Sequence, residues 1–347
     1  MPEATPRKSP GRLVAKILTS AWRSLPDPPA ISIEDMASVV PLLNASGAGS
    51  LAWWRIKNSN LCDAPESAPL LDAYRFHTLQ AIIQENNLKE VFALYRSNGI
   101  DPILIKGWAI ARHYAEPGLR LYGDIDLCVL PEQYEAALEV KKSPEACRYP
   151  IDLHKGFDRL DESLADDVFA RSLQVKIGEV EARVPGPEDH LRILCLHTLR
   201  HGAIRPIWLC DIAAALESKP PDFDWGLCLG KNSKKTDWIS CAVGLAHRLL
   251  GARAGNDGLE RRDLPGWLVP TVIKQWGIRQ RPQGIRTPMV EVMRRPSDLP
   301  AAIRSRWPNP IEATVDINGA FNEWPRLPFQ LTDCVARTAR FLFQRKE

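Results

Sequence analysis

The chain has 347 residues, is 45% apolar and 25% charged, and carries a formal net charge of +3. This is the composition of an ordinary globular protein, long enough for two domains or for one core with appended helices. A net charge so small excludes a global field that would gather nucleic acid or an anionic membrane.

The basic opening "MPEATPRKSPGRLVAKILTSAWRS" has an apolar run broken by Lys16. It lacks the continuous apolar core and small-residue cleavage site of a secretory signal and reads as a docked or frayed terminal helix. "SIEDMASVVPLL" begins at Ser32 with a capping signal and continues as a short helix. "APLLDAYRFHTLQAIIQENNLKEVFALYRSNG" places Leu79, Ile82, Ile83, Leu88, Val91, Phe92 and Tyr95 at helical spacing, with Asn98-Gly99 as its stop. Residues 1–98 therefore form an N-terminal helical region.

The texture changes at "IDPILIKG", a short apolar strand ending at Gly107, followed by a helix across "WAIARHYA" that Pro117 and Gly118 break. "DIDLCVL" is a second strand in which Ile125, Leu127 and Val129 alternate with Asp124, Asp126 and Cys128. Pro131 opens a helix through "EQYEAALEV", "YPIDLHKGF" is a third strand, and "SLQVKIGEVEARVP" is a hairpin turning at Gly178. Residues 99–186 are thus a small mixed α/β core.

From 187 to 347 helices return in "EDHLRILCLHTLRHG", "RPIWLCDIAAALE", the stretch around Ile239–Leu250, and a C-terminal amphipathic "LTDCVARTARFLFQRK". The Pro-rich span 253–306, with Lys and Arg in excess over Asp and Glu, reads as an irregular wrapping segment. The whole is an α+β protein: a small mixed β-sheet flanked by N-terminal and C-terminal helical regions. No segment is long enough to span a bilayer. The eight scattered cysteines, with no CxxC pair, point to a reducing, cytoplasmic setting without a zinc knuckle or disulfide framework.

The chemistry gathers between Lys106 and Asp126. Asp124 and Asp126, two residues apart on a strand, project from one face and repel each other unless a cation bridges them. Mg²⁺ fits, because it takes hard oxygen ligands and commonly combines one or two carboxylates with substrate phosphates. The strand–Gly–helix element at Lys106-Gly107 offers backbone amides and a helix N-terminus to a phosphate. A phosphate-binding turn followed by a metal-binding Asp-x-Asp is what transfer at a nucleotide's α-phosphorus requires.

"KGWAIARHYAEPGLRLYGDIDLCVL" resembles the nucleotidyltransferases of the DNA polymerase β type, and more closely a bacterial uncharacterised nucleotidyltransferase family. The resemblance continues through "IDLH" at 151–154, "PGPEDHLRILCLHTLRHG" and "WLCDIAAAL", covering about residues 30 to 250. It implies that Asp124, Asp126 and Asp152 are catalytic metal ligands, Asp152 being either a ligand or the base for the acceptor hydroxyl. It implies that Lys106 and Gly107 hold the triphosphate and that Arg120 is a phosphate clamp. The co-substrates are then Mg²⁺ (or Mn²⁺) and an NTP, ATP first among them, with a small-molecule, peptide or protein acceptor; a nucleic-acid acceptor is disfavoured because no separate basic domain is evident. Two features depart from the pattern. Trp108 stands where the broader superfamily often has Ser or Gly against the γ-phosphate, and the segment 141–150 is short for the family.

Blander readings compete at several positions. Lys106 is also a plausible polar strand end, Arg120 a salt-bridge partner for Glu116 or Asp124, and His154 a core histidine or an orienter of Asp152. His190, His197 and His201 share one helical face, and a packed helix–helix seam facing the catalytic core explains them better than zinc, since no HExxH pattern is present. The alternative to an enzyme is a catalytically silent nucleotide-binding or antitoxin-like partner protein with the same fold.

Overall fold

A computed structural model describes residues 9–157, 165–255, 263–279 and 299–344. The N-terminal region is helical: α1 (Pro10–Leu18), α2 (Ile33–Ala45), α3 (Gly49–Ile56) and the long α4 (Ala68–Ser97). The Ser32 hydroxyl caps α2 by accepting the Asp35 amide at 3.1 Å. Gly99, at φ +74°, ends α4 in the left-handed region that glycine tolerates best.

Then come β1 (Ile103–Leu104), α5 (Trp108–Ala111), β2 (Ile125–Val129), α6 (Tyr134–Lys142) and β3 (Ile151–Lys155). A helix, α7 (Ala165–Ala170), precedes the hairpin β4 (Leu173–Ile177) and β5 (Val180–Val184), which turns at Gly178 with φ +60°. The five strands form one mixed sheet in the order β3-β2-β1-β5-β4. β2 runs antiparallel to β1 and parallel to β3, and the β2–β3 register sets Asp126 opposite Asp152.

All five residues of β2 are buried, so the alternation read from the sequence is not a wet face against a dry one. Ile125, Leu127 and Val129 pack with Leu88, Val91, Phe92 and Tyr95 of α4 and with Val140 of α6. On the opposite face Cys128 joins Ile103, Ile105, Val168 and Ile193 in a second apolar layer. A sheet covered on both sides in this way needs apolar residues on both faces of its central strands.

The apolar stripe expected along α4 divides. Its C-terminal half is core, whereas Leu79, Ile82 and Ile83 are 61%, 54% and 50% exposed beside an exposed Phe76. The segment after α6 is a pair of tight turns, Ala146 N–H to Ser143 and Tyr149 N–H to Ala146, leading straight into the edge strand β3.

Four further helices follow: α8 (Pro187–Arg200), α9 (Pro206–Glu217), α10 (Trp225–Leu229) and α11 (Ser233–Leu250). The basic stretch read as a wrapping segment lies outside the described residues at 256–262 and 280–298. Its described middle is not irregular: α12 (Leu268–Trp276) buries Leu268, Val272 and Trp276. Helices at Leu299–Arg306, Pro310–Asp316 and Leu327–Gln344 end the described chain.

α1 lies on α12, so close that a Cβ on Gly11 would meet the Ile273 carbonyl oxygen at 1.9 Å. One apolar core runs from Leu13, Leu18 and Leu43 through Ile110 and Leu119 to Leu191, Leu209, Val243 and Ile311. The two helical flanks thus bury their apolar faces together. All eight cysteines are free, and among the described residues no helix is long and apolar enough to cross a membrane.

Candidate metal and nucleotide site

The site forms where β1, β2 and β3 end side by side. β1 is short because Pro102 precedes it and Gly107, at φ +58°, turns the chain out of it. That turn sets Lys106 across from β2, and the Lys106 Nζ lies 2.5 Å from Asp126 Oδ1. Asp126 is only 9% exposed. On β3, Asp152 and His154 are two residues apart and share a face. His154 Nε2 is 3.2 Å from Asp152 Oδ2 and 3.4 Å from Asp126 Oδ1.

Asp126, Asp152 and His154 bring their ligand-type atoms within 4.8 Å of one another, a grouping able to hold a metal ion. Asp124 lies one residue before β2, is exposed, and is not a member of that group. His154, a core histidine or an orienter of Asp152 on sequence grounds, stands in the structure beside both carboxylates. The signal that finds it is the period of two: "IDLH" puts the imidazole on the same face as Asp152.

Burial alone would raise the Asp126 carboxyl. The hydrogen bond to His154 and the Lys106 charge outweigh it and hold Asp126 below the ordinary carboxylate value. A buried carboxylate kept charged in this way is ready to meet a cation without first losing a proton.

The helix expected across "WAIARHYA" is a single turn, so its macrodipole contributes little. Trp108 does not fill the turn. Its ring packs with the α4–sheet core, and its indole N–H donates to Glu85 Oε1 at 3.1 Å. Arg120 is committed elsewhere. Its Nε and Nη2 donate to Asp211 of α9, both at 2.8 Å, its other amino group donates to the Leu121 carbonyl, and the Tyr114 hydroxyl donates to Asp211 at 2.7 Å. This buried fork ties the loop before β2 to the C-terminal helices.

Of the three α8 histidines, His190 is sealed in the interior, where burial pushes its imidazole down to about 3. His197 and His201 stand at the site end of α8, with ring centroids 4.6 Å apart. Trp208 of α9 meets them at 4.9 and 5.3 Å. Burial, then the nearby Lys106 ammonium, lowers both imidazoles. The seam expected from the sequence is therefore a ring cluster beside Lys106.

A family profile described as an uncharacterised nucleotidyltransferase matches residues 33–142 and again 141–251, the break falling at the short connection between α6 and β3. No curated protein and no solved structure matches the chain. The two matches span well over half of the sequence, and the chain belongs to the uncharacterised nucleotidyltransferase family.

Proposed function

We propose that the protein moves a nucleoside monophosphate from an NTP, ATP first among them, to a hydroxyl or phosphate oxygen of a small-molecule, peptide or protein acceptor. The observation that carries this reading is the pairing of Asp126 with Asp152 across parallel strands, beside the Lys106-Gly107 turn. The donor set suits a hard divalent ion, Mg²⁺ or Mn²⁺, and a cation already lies against Asp126 in the form of the Lys106 ammonium. Asp126 and Asp152 would hold the ion, with Asp124 adding a carboxylate at the mouth of the strand. Such an ion, when bound, aligns the attacking oxygen and neutralises the leaving pyrophosphate.

The chain's own groups do the rest. Gly107 lets the backbone approach the triphosphate, and Lys106 supplies positive charge to it. His154 orients Asp152 from 3.2 Å. Asp152, the exposed carboxylate of the pair, accepts the acceptor's proton as the new oxygen–phosphorus bond forms and the α–β phosphoanhydride breaks. Arg120 is assigned to positioning: its fork on Asp211 fixes the loop that delivers β2. The eight free cysteines support a reducing, cytoplasmic setting.

One observation favours the silent alternative. The Lys106–Asp126 pair satisfies the buried carboxylate without any metal. Incubation with each α-labelled NTP, Mg²⁺ or Mn²⁺ and host lysate separates the two readings. A labelled product made by the wild type, lost on chelation of the metal and lost in folded Asp126→Asn and Asp152→Asn variants, supports transfer. Labelling that persists in an Asp124→Ala/Asp126→Ala double variant sinks the mechanism. NTP binding without any labelled product favours the silent protein.

A further inference from the structure

We propose that Trp208, His197 and His201 form the wall on which the nucleobase of the incoming triphosphate stacks, a specificity subsite resting on the nucleotidyltransferase reading above. Three observations converge on it. The rings form one contiguous cluster, with centroids 4.6 to 5.3 Å apart and planes tilted 50° to 75° to one another, so that a base would stack on one ring face and meet the others at their edges. The Arg205 guanidinium lies 5.5 Å from the Trp208 ring. This surface is not core: Trp208 and His197 are half-buried, and His201 and Arg205 are exposed.

The polar groups of the wall are, secondly, left open. Trp54, Trp108, Trp238, Trp267 and Trp276 each donate their indole N–H to a protein acceptor. Trp208, like the half-buried Trp53 and Trp225, makes no such bond among the described residues. Thr198, 1% exposed, lines with Lys106, His197 and Trp208 a cavity of about 10 Å³ beneath the rings, room for one water and not for a base, and its Oγ1 has no protein partner.

Thirdly, Lys106 belongs to both halves. It touches Asp126 of the metal cluster on one side and lines the cavity with His197 and Trp208 on the other. A ligand that satisfies both halves carries phosphates and a planar ring on one short framework, which describes a nucleotide. Neutral imidazoles and an indole accept a base face by stacking without selecting it by charge. Stacking grows with ring area, so purines are expected to bind more tightly than pyrimidines.

Calorimetric titration of the full chain in Mg²⁺ with α,β-methylene ATP, its CTP counterpart and inorganic tripolyphosphate tests the proposal. The wild type is expected to bind the ATP analogue about ten-fold or more tighter than tripolyphosphate. Trp208→Leu and His201→Ala should erase that advantage while tripolyphosphate binding stays as in the wild type, and Trp208→Phe should retain most of it. An ATP advantage that survives in the Trp208→Leu/His201→Ala double variant overturns the subsite. So does an equal loss of both ligands in folded single variants, or a ring contact traced to the acceptor instead. If the wild type binds tripolyphosphate and ATP analogue alike, the stacking wall fails while the nucleotidyltransferase reading stands. If it binds neither, that reading fails as well.

Discussion

At the scale of single residues, Asp126 is held between opposing forces. Burial favours its neutral form, and His154 and Lys106 favour the carboxylate. Removing the ammonium in Lys106→Met strands a charge that is only 12% exposed at its side chain. We expect this variant to lose about 3 kcal/mol in denaturant titrations, the order found when one partner of a buried pair is deleted. Mn²⁺ is expected to restore part of the loss by binding the folded state alone. No recovery at any Mn²⁺ concentration would count against the carboxylate pair as a metal site. Gly107 is a second position where one atom matters. Its φ of +58° with ψ of −114° lies where a side chain is strained, and Gly107→Ala should cost about 1–2 kcal/mol by thermal unfolding.

At the scale of elements, two helices show how tertiary partners redistribute the importance of residues. On α4 Leu79 and Phe92 are both large and apolar, yet at 3.6 residues per turn they fall about 140° apart around the helix; Phe92 is fully buried under the sheet and Leu79 is largely exposed. Phe92→Ala should destabilise by about 3–5 kcal/mol, whereas Leu79→Gln should stay within about 0.5 kcal/mol. Equal effects in chemical denaturation would contradict this packing. On α9, Asp211 receives the Arg120 fork and the Tyr114 hydroxyl in the interior. Asp211→Ala leaves a buried guanidinium without a counter-charge and should cost about 3–5 kcal/mol. Because that fork holds the loop before β2, the same variant should also weaken nucleotide binding without any contact to the ligand.

At the scale of the whole molecule, acid stability is governed by histidines kept neutral inside. Burial lowers His77 and His113 to about 4 and His190 to about 3. In the unfolded chain each takes up a proton below its ordinary value of about 6.5, while in the fold it does not until far lower pH. The unfolded state therefore binds more protons, and stability should fall as pH drops from about 6.5 towards about 4. This loss precedes that from the carboxylates held low by ion pairs, such as Asp101 between Arg96 and Arg183. A melting temperature that is flat between pH 6.5 and 4.5 would refute the account. His190→Phe, which removes a buried unpartnered Nε2, should flatten part of that slope.

Local chemistry by itself determined a good deal. The Ser32 cap, the Gly99 stop, the Gly178 turn, the Pro-opened helix after β2 and the strand carrying Asp126 all follow from propensities and side-chain hydrogen bonds within a few residues. The α+β class and the family follow from the order of these pieces. Pairings between distant segments were decided only by the tertiary structure, because no local period encodes which strand lies beside which. Register put Asp126 opposite Asp152 and brought His154 into the cluster, with Asp124 left outside at the mouth of the strand. Packing against α9 turned Arg120 from a free cation into the buried partner of Asp211, and the α4–sheet core drew Trp108 away from the phosphate turn. Burial under two layers made both faces of β2 dry, and a carboxylate twenty residues from its cation in sequence, as Asp126 is from Lys106, becomes a site only once the fold has brought the two together and removed the water around them.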